Sequence, residues 1–199
     1  MKTTILTILL AAAVLLAGCG SDLPTIPDTE DYPPQATLDA QSGYKQWSTI
    51  DQSIIITYPH RWFANEGATS AIVTLGTPVG DATPEYREYI AFGVQQPEEG
   101  QTEQYIADLT FTDMKQLLPD IELIHGSREY VAGYWMEYRV FGGHVNNANI
   151  GPEGEYVWYQ YSFIASGMSY SITFACSKQL ESTYKADFDY VLNNLILHV

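Results

Sequence analysis

Apolar residues are spaced in three ways along this chain, and each spacing predicts a different element. An unbroken run comes first: Ile5 to Ala17 is apolar except for Thr7. From about Tyr44 a period of two takes over. Tyr44–Thr49, Ser53–Tyr58, Ser70–Thr77 and Glu88–Val94 read as strands, the first two joined at Asp51-Gln52 and the second ended by Pro59. A helical period begins at Thr102. Ala107, Phe111, Met114 and Leu118 recur at i, i+4, i+7 and i+11, which predicts one helix capped by Thr102 and stopped by Pro119. Four more strands follow at Ile121–Tyr130, Tyr134–Phe141, Tyr156–Ile164 and Ser169–Cys176. Val131-Ala132-Gly133 and Ala165-Ser166-Gly167 are tight links of the kind that join antiparallel neighbours. A closing helix is expected over about Gln179–Leu197, with Tyr184, Phe188, Val191, Leu192 and Leu195 on one side.

Two helices separated by several strands can cover opposite faces of one sheet. The expected fold is therefore α+β: an antiparallel sheet of about six to eight strands with helices on both faces, an α/β/α sandwich.

The opening run is too short to span a membrane, which takes ~20 residues, and it follows Lys2. It has the form of an export signal. Leu16-Ala17-Gly18-Cys19 then resembles a bacterial lipobox. The small residues fit a narrow peptidase cleft, and the Cys19 thiol is the group that takes a diacylglyceryl chain. Residues 1–18 are expected to be removed, leaving Cys19 as the lipidated first residue. Two or three acyl chains hold firmly where one holds only marginally, since each buried methylene contributes ~0.8 kcal/mol. Gly20 and Ser21 follow the cysteine. The Asp that retains some lipoproteins in the inner membrane is missing, which favours the outer membrane in a two-membraned organism. Residues 19–43 form a tether. Pro24, Pro27, Pro33 and Pro34 block regular structure, and the charges there are all acidic. As a flexible coil such a stretch spans ~25–30 Å. The globular domain is expected over 44–199.

Composition narrows the role. Apolar residues make up 46% and charged residues 17%, so this is neither a disordered chain nor a coiled coil. Acidic residues number 24 against nine basic, a net charge of −15 that excludes nucleic acid as a partner. With Cys19 acylated, Cys176 is the one thiol left. It alternates with Phe174 and Ile172 and reads as a buried small hydrophobe.

Catalytic signatures are missing. His60, His125, His144 and His198 share no metal-ligand spacing. No G-x-S-x-G elbow or phosphate loop occurs. No catalytic residue, metal or cofactor is expected. An envelope hydrolase has only unplaced carboxylates behind it. The segment Gly142–Glu155 is rich in Gly and Asn and exceeds an ordinary hairpin link. Asn146, Asn147, Asn149, Glu153 and Glu155 offer oxygens to a calcium ion, but without the EF-hand order it reads first as a solvated loop.

One further cluster has chemistry. Alternation places Glu137 and Arg139 on one strand face with Trp135 and Phe141. Trp158 and Gln160 share a face of the next strand, the same one if the strands pair in that register. The plain reading is a cross-strand ion pair beside a helix-covered face. The alternative is a small-molecule or cation pocket lined by Glu137, Arg139, Trp158 and Gln160.

Tyr58-Pro59-His60-Arg61-Trp62 resembles the Tyr-Pro-x-x-Trp corner of PsbP-like domains. Tyr170-Ser171-Ile172-Thr173-Phe174, followed by a helix with Tyr184, Phe188 and Leu192, is similar to that family's closing strand and helix. The family includes photosystem II extrinsic subunits and DcrB-type envelope lipoproteins. The resemblance implies the sandwich fold and a non-enzymatic binding or assembly module, with an envelope protein as partner besides the membrane itself. It implies no metal-binding residues, because no position matches a specific enough motif.

Overall fold

The computed structural model describes residues 43–66, 71–76, 88–146 and 153–199. The export signal, Cys19 and the tether up to residue 42 lie outside them. So do Asn147 and Asn149 of the Asn-rich segment.

The element order is β1 (Tyr44–Ser48), β2 (Ile54–Pro59), β3 (Phe63–Glu66), β4 (Ala71–Gly76), β5 (Tyr89–Gln95), α1 (Glu103–Leu117), β6 (Glu122–Val131), β7 (Tyr134–Val145), β8 (Gly154–Ala165), β9 (Met168–Ser177), α2 (Glu181–Asn193) and β10 (Ile196–Leu197). Seven strands form one antiparallel sheet in the order β3-β4-β5-β9-β8-β7-β6. The chain leaves the middle of this sheet at β5, crosses through α1 to the far edge, and returns as the meander β6 to β9. A second sheet, β1-β2-β10, is hydrogen-bonded separately.

The turns follow from the residues that make them. Ala132-Gly133 and Ser166-Gly167 both take positive φ at two successive positions (50° and 92°, 49° and 77°). That is the backbone of two-residue hairpins whose twist matches the strands. Thr102 caps α1 by accepting the amide of Tyr105 at 3.2 Å, as its sequence position predicts.

The fold is α+β, with two cores on opposite faces of the seven-stranded sheet. On one face Val157, Tyr159, Tyr161 and Phe163 of β8 and Ile172 and Phe174 of β9 meet Tyr184, Phe188 and Val191 of α2. Ile54, Ile56 and Leu197 of the small sheet join them there. On the other face Met114 and Leu118 of the α1 end meet Phe141, Tyr156, Trp158 and Tyr89. Phe111 stacks on Phe141 at 5.4 Å. Cys176 is fully buried in the first core. Burial there, with the charges of Glu88 and Glu181 beside it, pushes its thiol up to about 12.

The Tyr58–Trp62 corner is held from across the chain. Trp62 is fully buried and donates its indole N–H to Asp187 Oδ2 at 2.8 Å. Arg61 donates to the same oxygen at 2.5 Å. One carboxylate of α2 thus fixes the turn that carries the resemblance.

Three expectations need correction. The closing helix ends at Asn193, and Ile196–Leu197 pairs with β2 instead. β3 was not anticipated, because its residues Phe63–Glu66 are exposed throughout and show no alternation. β7 runs on through His144 to Val145, and β8 begins at Gly154, so both ends of the Gly142–Glu155 segment are strand.

Candidate functional site

Two places concern function, and they differ in access. The first is the predicted cluster. Pairing sets Arg139 opposite Gln160, Glu137 opposite Ser162 and Phe141 opposite Trp158. All four predicted residues therefore lie on the α1 face of the sheet. Arg139 reaches Asp108 of α1 at 3.1 Å and Glu137 at 3.5 Å. Its side chain is 13% exposed and that of Glu137 15%. Gly126 leaves room for this guanidinium, since a Cβ there would sit 2.5 Å from Arg139. Trp158 and Gln160 are buried. The helix closes over the cluster, so it is an ion-paired seam between α1 and the sheet. Gln160 Oε1 and Ser162 Oγ are buried in it with no hydrogen-bond partner among the described residues.

The second place is open. A groove of about 380 Å³ runs along the sheet end where β7 stops and β8 begins. That is within the size range of ligand sites. Asp120, Glu122, Ile124, His144, Glu155 and Lys178 supply its side chains. Its floor is the pair Gly142-Gly143. A Cβ on Gly143 would lie 2.9 Å from Ile121 Cα, and one on Gly142 would lie 2.6 Å from Ile124 Cδ1. At Gly143 the close atom is backbone, so only hydrogen fits there and the α1–β6 link can press against β7, whereas the Ile124 tip over Gly142 could swing aside. A register shift between Leu123 and His125 frees Ile124 to turn onto Gly142.

The charges in the groove are organised around His144. Its Nδ1 lies 2.9 Å from Glu155 Oε1, and its Nε2 3.7 Å from Glu153. Lys178 is ion-paired with Glu181, and its amide donates to the Glu155 carbonyl at 2.8 Å. Tyr156 lines the inner wall. Burial first, and the Glu88 carboxylate second, push its hydroxyl up to about 12. It stays a neutral donor at any working pH. Among the described residues no three His, Cys, Asp or Glu side chains converge as metal ligands do.

Sequence reasoning pointed to the Gly142–Glu155 segment but missed Asp120, Glu122 and Lys178. The readable signal was the Gly142-Gly143 doublet, because glycine inside a strand marks a close backbone approach.

No protein-family model and no curated protein matches this chain. Solved structures do. LpqN of Mycobacterium tuberculosis, described as involved in cell envelope biogenesis, superposes with a TM-score of 0.57 at 11% identity, over 83% of this chain and 96% of its own. The cyanobacterial PsbP of Synechocystis sp. PCC 6803 gives 0.53 at 15% identity, over 77% and 92%. The Ran-binding protein Mog1p of Saccharomyces cerevisiae gives 0.52 at 7% identity, over 78% and 96%. At such identities the likeness establishes the fold, which is PsbP-like, as the Tyr-Pro corner implied.

Proposed function

We propose that this chain is a lipid-anchored protein of the bacterial cell envelope, held on the extracytoplasmic side through Cys19, and that its PsbP-like domain is a non-enzymatic module for binding or assembling a partner protein. The open, acid-lined groove at the sheet end carries this reading. Asp120, Glu122 and Glu155 face it, with Lys178 and His144 already engaged by Glu181, Glu153 and Glu155. Such a surface favours a basic segment by charge complementarity. The lipobox and the acidic tether support the anchoring. The shared fold of LpqN, described as involved in cell envelope biogenesis, agrees with the location. Gly20 after the cysteine favours the outer membrane where there are two.

Two variants test the two halves. Cys19→Ala should move the protein from the membrane fraction to the soluble fraction. Glu122→Gln/Glu155→Gln should leave it in the membrane and strip the proteins that co-purify after crosslinking in intact cells. Because surface changes of this kind cost within about 0.5 kcal/mol, the melting temperature should hold. Membrane retention of the Cys19 variant would sink the anchoring, and unchanged co-purification would sink the groove.

The groove volume favours one second reading, a small-molecule or cation ligand such as calcium or manganese. That reading expects a melting temperature raised by the ligand. Flat curves across calcium, manganese and sugar panels would remove it.

A further inference from the structure

Among the described residues β6 is an outer edge of the large sheet, with no strand paired on its far side. The opposite edge, β3, has four residues, whereas β6 has ten. Its first five residues are all exposed. Natural edge strands are blunted by shortness, Pro, charged side chains or bulges. Glu122–Val131 is long and has neither Lys nor Pro; its guards are a bulge at one end and the charges of Glu122, Arg128 and Glu129. The register shift between Leu123 and His125 disturbs one end only, so the stretch from His125 to Val131 runs regularly along β7. It also carries large apolar groups in water: Ile124 is 60% exposed, Tyr130 63% and Leu123 45%.

The order of residues on this edge is complementary to itself. Take a second β6 antiparallel to the first, with the two-fold axis through Ser127. His125 then faces the Glu129 of the other copy, twice. Gly126 faces Arg128, and Tyr130 and Val131 come against the bulged apolar end at Leu123 and Ile124. Neither Arg128 nor Glu129 meets its own kind. Moving the axis one residue, to Arg128, sets guanidinium against guanidinium, a pairing that destabilises a sheet. His125, Ser127 and Glu129 already form a hydrogen-bonded row along one face, with His125 Nε2 to Ser127 Oγ and Ser127 Oγ to Glu129 Oε1 both 3.2 Å. Two such rows would meet head to tail across the axis.

We infer that β6 is a homodimer edge: two copies pair antiparallel about Ser127 and join their seven-stranded sheets into one. The partner is a second copy of this chain because the edge complements itself in charge and in apolar contact. The inference stands on β6 alone and does not depend on the groove or the lipid. A single strand pair buries less than a standard interface, and the net charge of −15 repels a second copy at long range. The dimer is therefore weak in dilute solution and is strengthened by salt, or by tethering both copies to one membrane.

A cysteine scan along β6 reads out both the dimer and its axis. Opposed residues of an antiparallel pair have Cα atoms ~4.5–5.5 Å apart, within disulfide reach. In the full-length chain, oxidised in intact cells, Ser127→Cys should give a reducible dimer at twice the mass of the mature protein. His125→Cys and Glu129→Cys should give much less, and the unsubstituted chain, with Cys19 and Cys176, none. Ser127→Lys sets two ammonium groups on the axis and should remove the dimer that sedimentation detects in the unsubstituted protein at high concentration and 0.5 M salt. Strongest crosslinking at another β6 position would overturn the Ser127 register. Monomer at all concentrations and salts, with no Ser127 crosslink, would overturn the dimer. Adducts of Ser127→Cys with a different protein would hand the edge to another partner and overturn it equally.

Discussion

Removing the Asp187 carboxylate should unfasten the Tyr-Pro corner, and its cost can be worked out from contacts. Asp187→Ala deletes the acceptor for Trp62 Nε1–H at 2.8 Å and for Arg61 at 2.5 Å. Trp62 is fully buried, so its donor is left without water or partner. A stranded buried donor costs ~1–3 kcal/mol. The ion pair adds little, because the side chains are 26% and 13% exposed, and such pairs contribute ~0–1 kcal/mol. The expected loss is therefore about 2.5 kcal/mol. For a chain of this size ~1 kcal/mol moves the melting temperature by ~2–4 °C, so a drop of about 5–10 °C should appear by calorimetry. Urea unfolding should show a lower midpoint at an unchanged slope. Asp187→Asn keeps an acceptor for the indole and loses only the ion pair, so it should recover most of the stability. A loss below about 0.5 kcal/mol, the range of featureless surface changes, would refute the reasoning. Equal losses for Asn and Ala would refute it too, since the indole bond would then carry nothing.

The ion-paired seam under α1 should behave as structure. Arg139→Met leaves the half-buried Glu137 without its guanidinium and should cost about 1–3 kcal/mol, whereas Arg139→Met/Glu137→Gln should recover most of it in a double-mutant cycle. Gly143→Val forces a side chain to within 2.9 Å of the Ile121 backbone and should destabilise by at least 2 kcal/mol, in the range of overpacking of ~1–3 or more; thermal melting reads it directly. Cys176 should resist alkylation in the native state and react only as denaturant unfolds the chain, because burial holds its thiol up at about 12. A folded pKa raised above the unfolded value of about 9 gives stability that is complete below pH 9 and lost as pH rises towards 12. Cys176→Ser should flatten that part of the pH–stability curve.

The strands from β6 to β9 were legible because the Ala132-Gly133 and Ser166-Gly167 turns punctuate long runs carrying aromatic and β-branched residues. α1 was legible from Thr102, its apolar stripe and Pro119. β10 was not: two residues carry no period, and only pairing with Ile54–Ile55 makes Ile196–Leu197 a strand. The register that gathers Glu137, Arg139, Trp158 and Gln160 on one face was legible as a choice between two. That α1 would close over them was not, because the Arg139–Asp108 contact spans 31 positions of sequence. The groove was less visible still. It comes from a bulge, two bare glycines and an α1–β6 link, none of which has a period. Nothing in the sequence ties Asp187 to Trp62: the two lie 125 positions apart and meet only in the fold.

The claim that this domain is a binding module meets its most direct test in the living envelope. A photo-crosslinking residue is placed at Glu155 in the groove and, as a control, at the exposed Glu98 before α1, in the full-length chain with Cys19 intact. Illumination of intact cells should yield one recurrent protein adduct from position 155, absent from position 98 and lost when Glu122 is changed to Gln. No adduct from position 155 above the control would contradict the account and leave the groove to a small ligand.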